Sequence, residues 1–116
     1  MHILVVEDHD DTRSALEKWL ARLGYEVAAA ENCRDALKLL DNLRFDVLVS
    51  DIGLPDGDGL TLVNEAKRRQ HLRRTVALAA RPGDEDGEIG RRAGFDHYLT
   101  KPLDFDKLQG LIAAAA

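Results

Sequence analysis

Acidic side chains follow two of the buried strands that the sequence predicts, and a lysine follows another. Glu7 and Asp8 come directly after the first apolar run, Asp51 ends the third, and Lys101 follows the last. Three carboxylates held close together repel one another, so at neutral pH some would take up protons unless a cation were present. Mg²⁺ prefers oxygen ligands and usually keeps several waters, so a few carboxylates and a phosphate suit it.

Phosphoryl transfer to a carboxylate is the chemistry that such a cluster supports. An aspartate can act as the nucleophile and become an aspartyl-phosphate. A metal ion and Lys101 would neutralise charge on the oxygens of the transferred group. Asp51 is the better nucleophile candidate because it stands alone on the central strand. Glu7 and Asp8 are better suited to hold the metal because they are adjacent.

Five apolar runs alternate with five longer amphipathic stretches along the chain. The runs that predict strands are 3–6, 25–30, 45–50, 75–79 and 96–100. Short loops between such elements indicate a parallel sheet covered by helices on both faces. A closed barrel needs about 250 residues. The sequence therefore predicts an α/β fold with an open, doubly wound, five-stranded parallel sheet and five helices, and ligands bind such sheets beyond the strands' carboxyl ends.

Several residues indicate where the predicted helices begin and end. Asp11 or Thr12 is expected to cap the first helix, and Gly24 to end it. Asn32 is expected to cap the second helix and Asp104 the last one. The fourth helix, from about 84 to 93, is predicted to be weak because it contains two glycines.

The composition limits the function classes. A chain of 116 residues is expected to form one domain over 1–116, and a net charge of −5 argues against direct nucleic-acid binding. No apolar run approaches the roughly 20 residues of a membrane span, and the start of the chain does not look like a signal peptide. The single cysteine, Cys33, cannot form an internal disulfide, and we expect a cytoplasmic protein.

Three segments together resemble the response-regulator receiver domain over the whole chain. They are Ile3 to Asp8, Asp51 to Gly59, and Tyr98 to Pro102. The resemblance implies a flavodoxin-like strand order of 2-1-3-4-5 and a cis peptide bond before Pro102. The motif Asp-Ile-Gly-Leu-Pro that begins at Asp51 is also similar to the corresponding motif of receivers attached to hybrid histidine kinases.

The resemblance also implies a role for each site residue. Asp51 would accept a phosphoryl group from the phosphohistidine of a histidine kinase or phosphotransfer domain, or from a small phosphodonor. Asp8, Asp51 and the backbone carbonyl of Gly53 would bind Mg²⁺, and Glu7 would act mainly through water. Lys101 would contact the phosphate. The protein would be no enzyme beyond its own Mg²⁺-dependent phosphorylation and dephosphorylation.

The chain departs from the family pattern at two positions. Ala79 stands where the family usually has Thr or Ser, whose hydroxyl binds the phosphoryl group. Losing such a charge-assisted hydrogen bond, worth about 1.5–3 kcal/mol, should weaken switching and its coupling to Tyr98. Gly53 stands where many receivers have Asn. Arg81 occupies a position that influences dephosphorylation in the family, and its role here is not predicted.

The resemblance places the output on the fourth predicted helix, the fifth strand and the fifth helix. Output would pass to a downstream effector protein or to an effector domain outside this sequence, and a homodimer is left open. Two alternatives remain. One is a receiver-like binding module that does not use phosphate. The other is a small phosphatase of the haloacid-dehalogenase type with Asp8 as nucleophile and Asp10 as acid/base.

Overall fold

A five-stranded parallel sheet forms the centre of the molecule. The computed structural model describes residues 1–79 and 94–115. The strands are β1 (His2–Val6), β2 (Glu26–Ala30), β3 (Val47–Asp51), β4 (Arg74–Ala79) and β5 (His97–Thr100). They pair in the order β2-β1-β3-β4-β5. This confirms the predicted doubly wound sheet and its flavodoxin-like strand order.

Four helices are present in the described residues. They are α1 (Asp10–Arg22), α2 (Cys33–Asn42), α3 (Gly59–Arg69) and the C-terminal helix (Phe105–Ala113). The remaining predicted helix, from about 84 to 93, lies outside the described residues, as does Arg81. None of the helices seen in ranges 1–79 and 94–115 combines the length and the apolar composition needed to cross a bilayer.

The sheet is buried on both faces, which explains why its strands read as continuous apolar runs. Successive residues of β1 point to opposite faces. Leu4 joins the core cluster that contains Ala36 of α2 and Val63 of α3. Val5 joins the second cluster, which contains Leu16 of α1 and Ile112 of the C-terminal helix. Two packed layers therefore hold the strand ends in fixed positions.

Most of the predicted helix ends are confirmed. Gly24 follows α1 with a φ of +94°, a conformation that L side chains rarely adopt. Asn32 and Asp104 cap α2 and the C-terminal helix by accepting backbone N–H bonds. The prediction that Asp11 or Thr12 caps α1 is wrong, because both residues already lie in its first turn. His9 is the cap, and its Nδ1 accepts the N–H of Thr12 at 3.3 Å.

Two local predictions also differ from the structure. The helical spacing of the apolar residues predicts Leu23 on the buried face of α1, but in the structure Leu23 lies beyond the end of the helix and is 39% exposed. The three glycines and one proline of segment 53–59 predict a loop throughout. In the structure Gly53–Leu54 pairs antiparallel with Gly57–Asp58, and we call this element the short hairpin. The hairpin gives the segment after Asp51 a defined shape.

Candidate functional site

The carboxyl ends of β1, β3 and β5 bring the predicted site residues together. Val6 pairs with Ser50, so Glu7 emerges beside Asp51 at the point where the strand order reverses. Ala79 pairs with Thr100, and the N–H of Lys101 donates to the carbonyl of Ala79 at 2.8 Å. The sheet register alone therefore directs these groups to one edge.

Lys101 lies between two buried carboxylates. Its Nζ is 2.6 Å from Oε1 of Glu7 and 2.9 Å from Oδ1 of Asp51. Glu7 is fully buried and Asp51 is 4% exposed, while the lysine side chain is 28% exposed. Asp8 is exposed and completes the group, because one oxygen each from Glu7, Asp8 and Asp51 lies within 4.8 Å of the others. The structure thus gathers the three acids and the amine predicted from the sequence.

The two buried carboxyls differ in pKa. Burial, reinforced by the neighbouring Glu7 carboxylate, raises the pKa of Asp51 to about 8. Burial also opposes the charge of Glu7, but hydrogen bonds with Asp51, Lys101 and the His9 backbone outweigh it and lower the pKa of Glu7. Burial likewise opposes the charge of Lys101, yet its two carboxylate partners raise its pKa. Without a metal ion, Asp51 is therefore the carboxyl of the pair that holds a proton to the higher pH.

A divalent cation fits this group of oxygens. Oδ1 of Asp51 is buried and accepts no hydrogen bond, because its contact with Lys101 has ion-pair distance without hydrogen-bond geometry. Three acidic groups face one ammonium, so the cluster has an excess of negative charge. Oxygen ligands of this kind suit Mg²⁺, and the exposure of Asp8 leaves room for the waters that Mg²⁺ keeps. Gly53, the predicted carbonyl ligand, is exposed in the short hairpin.

A close backbone approach fixes the segment that follows Asp51. The N–H of Gly59 donates to the carbonyl of Ile52 at 2.6 Å. A Cβ added at Gly59 would lie 2.1 Å from the backbone oxygen of Asp51. Only glycine allows α3 to begin this close to the end of β3, so Gly59 sets where the short hairpin can lie.

The two predicted switch positions lie on the neighbouring strands β4 and β5. Ala79 is fully buried at the end of β4. Tyr98 is partly buried on β5, where its ring meets Phe95 edge-on with 5.9 Å between centroids. The bond between Lys101 and Pro102 is cis, as predicted. That Ala79 weakens the coupling to Tyr98 stays a prediction.

Sequence reasoning missed two residues that organise the site. The backbone N–H of His9 donates to Oε2 of Glu7 at 3.2 Å, and Nη1 of Arg13 donates to the Glu7 carbonyl at 3.0 Å. Arg13 also binds Asp10 at 2.6 Å. Asp10 is exposed, pairs with Arg13 and does not belong to the carboxylate cluster. This arrangement does not favour a phosphatase in which Asp8 and Asp10 act together. The sequence signal that could have indicated the role of Arg13 is its position three residues, or about one helical turn, after Asp10.

Comparison with known proteins gives a consistent result. The family described as "Response regulator receiver domain" matches residues 3–113. A 14.6 kDa uncharacterised protein of Leptolyngbya boryana is 39% identical over 106 residues, which cover 90% of this chain and 81% of that protein. Response regulator protein PilR of Pseudomonas aeruginosa is 38% identical over 97% of this chain and 25% of its own length.

A solved structure has the same architecture. Response regulator TrrA of Thermotoga maritima, crystallised in complex with Mg²⁺ and BeF, superimposes with a TM-score of 0.86 at 28% identity. The match covers 99% of this chain and 98% of that one. The chain therefore spans nearly the whole of the TrrA structure but only a quarter of the length of PilR.

Proposed function

The chain belongs to the response regulator receiver domain family, and from that premise we propose that it accepts a phosphoryl group on Asp51. Receiver domains of two-component systems are phosphorylated on aspartate with Mg²⁺, and they interact with histidine kinases and effector domains. The observation that carries the proposal is the position of Lys101 Nζ, 2.6 Å from Glu7 and 2.9 Å from Asp51 at the strand-order reversal.

The proposed step is a displacement at phosphorus. A carboxylate oxygen of Asp51 forms a bond to the phosphorus of the donor as the bond to the leaving group breaks. With phosphohistidine the leaving group is the imidazole nitrogen, which takes up a proton from solvent, and with acetyl phosphate it is acetate. Asp51 must be ionised to attack, so it must first release its own proton to solvent.

The chain's own residues orient the reactants. Glu7 is buried and holds Lys101 so that the ammonium can meet the oxygens of the arriving phosphoryl group. Asp8, Asp51 and the Gly53 carbonyl would hold Mg²⁺, and Glu7 would act on it through water. When bound, the cation supplies positive charge between the carboxylates and the phosphoryl oxygens. Beyond this reaction on itself the protein would catalyse no turnover of a separate substrate.

The donor would approach along a groove beside Lys101. The groove has a volume of about 450 Å³. Its lining is largely apolar and consists of Asp11, Thr12, Ala15, Lys101, Pro102, Leu103 and Phe105. A histidine that delivers a phosphoryl group to Asp51 must come close to Lys101, so the protein that carries it would contact this groove. The proposed occupant is the phosphohistidine-bearing segment of a kinase or phosphotransfer domain.

The output of the domain is proposed to be weaker than is usual for the family. Ala79 has no hydroxyl to bind the phosphoryl group, so phosphorylation would shift the conformational equilibrium less. A downstream effector protein, or an effector domain outside this sequence, would receive the signal in the cytoplasm. The sequence leaves open both a homodimer and an origin in a hybrid histidine kinase, and neither is part of this proposal.

Intact mass measurement tests the proposal. The protein is incubated with Mg²⁺ and acetyl phosphate and then weighed beside the Asp51→Asn variant, which is nearly isosteric. We expect one added phosphoryl group in the natural sequence and none in the variant. No mass change in either protein would favour the phosphate-independent binding module. Steady hydrolysis of a phosphate ester that depends on Asp10, and not on Asp51, would favour the phosphatase.

A further inference from the structure

The carboxylate of Asp56 joins the short hairpin to the start of α2. Its Oδ1 accepts the backbone N–H of Cys33 at 2.8 Å, and its Oδ2 accepts the backbone N–H of Arg34 at 3.0 Å. Asn32 serves the same helix end separately by accepting the N–H of Asp35 at 2.8 Å. Helix N-termini leave their first N–H groups without partners inside the helix. Asp56 supplies two of those partners from a segment more than twenty residues away.

The hairpin is held at both of its ends. At one end, Gly59 lies against the main chain of Asp51. At the other end, the side chain of Cys33 packs over Gly57, where an added Cβ would lie 3.3 Å from Sγ. Pro55 and Asp56 form the turn that connects the two strands of the hairpin, and both are exposed. Hydrogen bonds between the hairpin and α2 are the two N–H bonds to Asp56 and a longer contact, 3.8 Å, from Cys33 Sγ to the Asp58 carbonyl. The two bonds to Asp56 are the short ones, and they hold the exposed turn to α2.

We propose that Asp56 is a positioning residue that holds the short hairpin, and with it the main chain of Gly53, ready for the metal ion. The inference rests on the proposed function, because it assigns Gly53 to Mg²⁺ binding. Asp56 itself does not join the group of acids that could ligate the cation, which consists of Glu7, Asp8 and Asp51 within the described residues. Its contribution is to order the hairpin before binding, so that less conformational entropy is lost when the ion arrives.

The backbone N–H groups also keep Asp56 charged. Its bonds to Cys33 and Arg34 lower the pKa of the Asp56 carboxyl. Burial, and then the charge of Asp56, raise the pKa of the Cys33 thiol to about 11. The thiol is therefore mostly protonated at neutral pH, and removing Asp56 changes its thiolate fraction as well as its cover. The rate of alkylation is for this reason compared with and without Mg²⁺ within each protein, where a change reports on how tightly the hairpin covers the thiol.

Titration calorimetry with Mg²⁺ tests the inference on the full chain. In Asp56→Ala the affinity for Mg²⁺ should fall about tenfold, the lower end of the loss seen when a residue that orients a metal ligand is removed. Two controls separate this effect from simpler ones. Asn32→Ala removes the other cap of α2, and Asp35→Asn removes a negative charge from its first turn. Both should bind Mg²⁺ as the natural sequence does.

Alkylation of Cys33 by iodoacetamide gives a second readout that does not involve phosphorylation. If the hairpin and the metal are coupled, the coupling is reciprocal. Mg²⁺ should then slow the alkylation of Cys33 in the natural sequence and leave it unchanged in Asp56→Ala. If Asp56→Ala fails to fold, Asp56→Asn takes its place, because it keeps one acceptor oxygen and should show an intermediate loss.

The outcomes distinguish the inference from the function on which it rests. Equal Mg²⁺ affinity in the natural sequence and Asp56→Ala would overturn the role of Asp56 and leave phosphorylation of Asp51 intact. An equal loss in Asn32→Ala would also overturn it, because the effect would then come from α2 as a whole. If the natural sequence bound no Mg²⁺, the proposed function itself would fail.

Discussion

The raised pKa of Asp51 predicts that the metal-free protein loses stability as the pH rises. In the unfolded chain this carboxyl has its ordinary pKa of 3.8, whereas in the folded protein burial and Glu7 raise it to about 8. Between these two values the folded state binds a proton that the unfolded state has released. Folding is therefore favoured at the acidic end of this range, and the advantage is lost as the pH rises through the folded pKa.

The size of the effect follows from proton linkage. One additional proton bound in the folded state changes the free energy of unfolding by about 1.4 kcal/mol per pH unit. The slope should extend from about pH 5 to about pH 8 and flatten above that. Titration of Glu7 does not affect this slope. Its pKa is lowered from 4.5, so the stability that its ionised form contributes is lost only in more acidic solution. Lys101, with its raised pKa, stays charged throughout.

Urea unfolding in the presence of EDTA measures this slope. The natural sequence and Asp51→Asn are compared at several pH values, because the difference between them cancels the contributions of titrating groups that do not contact Asp51. The free energy of unfolding of the variant, relative to that of the natural sequence, should rise by about 1.4 kcal/mol per pH unit up to about pH 8. Saturating Mg²⁺ should remove the slope, since the cation replaces the proton on Asp51. Parallel stability curves for the two proteins would refute a protonated Asp51.

Three further substitutions probe separate parts of the site. Ala79→Thr should enlarge the phosphorylation-linked NMR shift changes around Tyr98, and identical changes in both proteins would make the missing hydroxyl irrelevant. Lys101→Ala should slow phosphorylation by acetyl phosphate about 100-fold, as expected for the loss of one group that stabilises the transition state, while Mg²⁺ affinity in calorimetry does not fall. Gly59→Ala should lower the free energy of unfolding by about 3 kcal/mol, because its Cβ would collide with a backbone oxygen. Gly53→Ala is the matched control, since a Cβ there meets nothing within 4 Å, and an equal loss of stability in both glycine variants would contradict the steric argument.

The convergence of Glu7, Asp51 and Lys101 could be predicted because it depends on one rule. Each residue follows a strand, and parallel strands end at one edge of the sheet. The apolar runs located those strands to within two residues at either end. The distances between charges could not be predicted in this way. They depend on the burial of Glu7, which pairs its carboxylate with the lysine instead of leaving it to solvent.

Contacts between distant segments are what the sequence could not show. Asp56 looked like a turn residue beside Pro55, and its bonds to the start of α2 exist only because the fold brings the hairpin there. His9 was not recognised as the cap of α1, because a ring nitrogen is a less common capping group than the oxygens of Asp11 or Thr12. In both cases the usual preference of the residue type indicated one role, and the contacts of the folded chain show another.

The site divides into a part that performs the chemistry and a part that transmits the result. Glu7, Asp51 and Lys101 form the first part through side-chain contacts that do not involve Ala79. Phosphorylation should therefore survive the absence of a hydroxyl at the end of β4. The two parts are joined by the main chain, because the N–H of Lys101 donates to the carbonyl of Ala79 at 2.8 Å. A movement of Lys101 toward the phosphoryl group would reach β4 through this bond and through the pairing of Thr100 with Ala79. Ala79→Thr would therefore strengthen an existing connection and not create a new one.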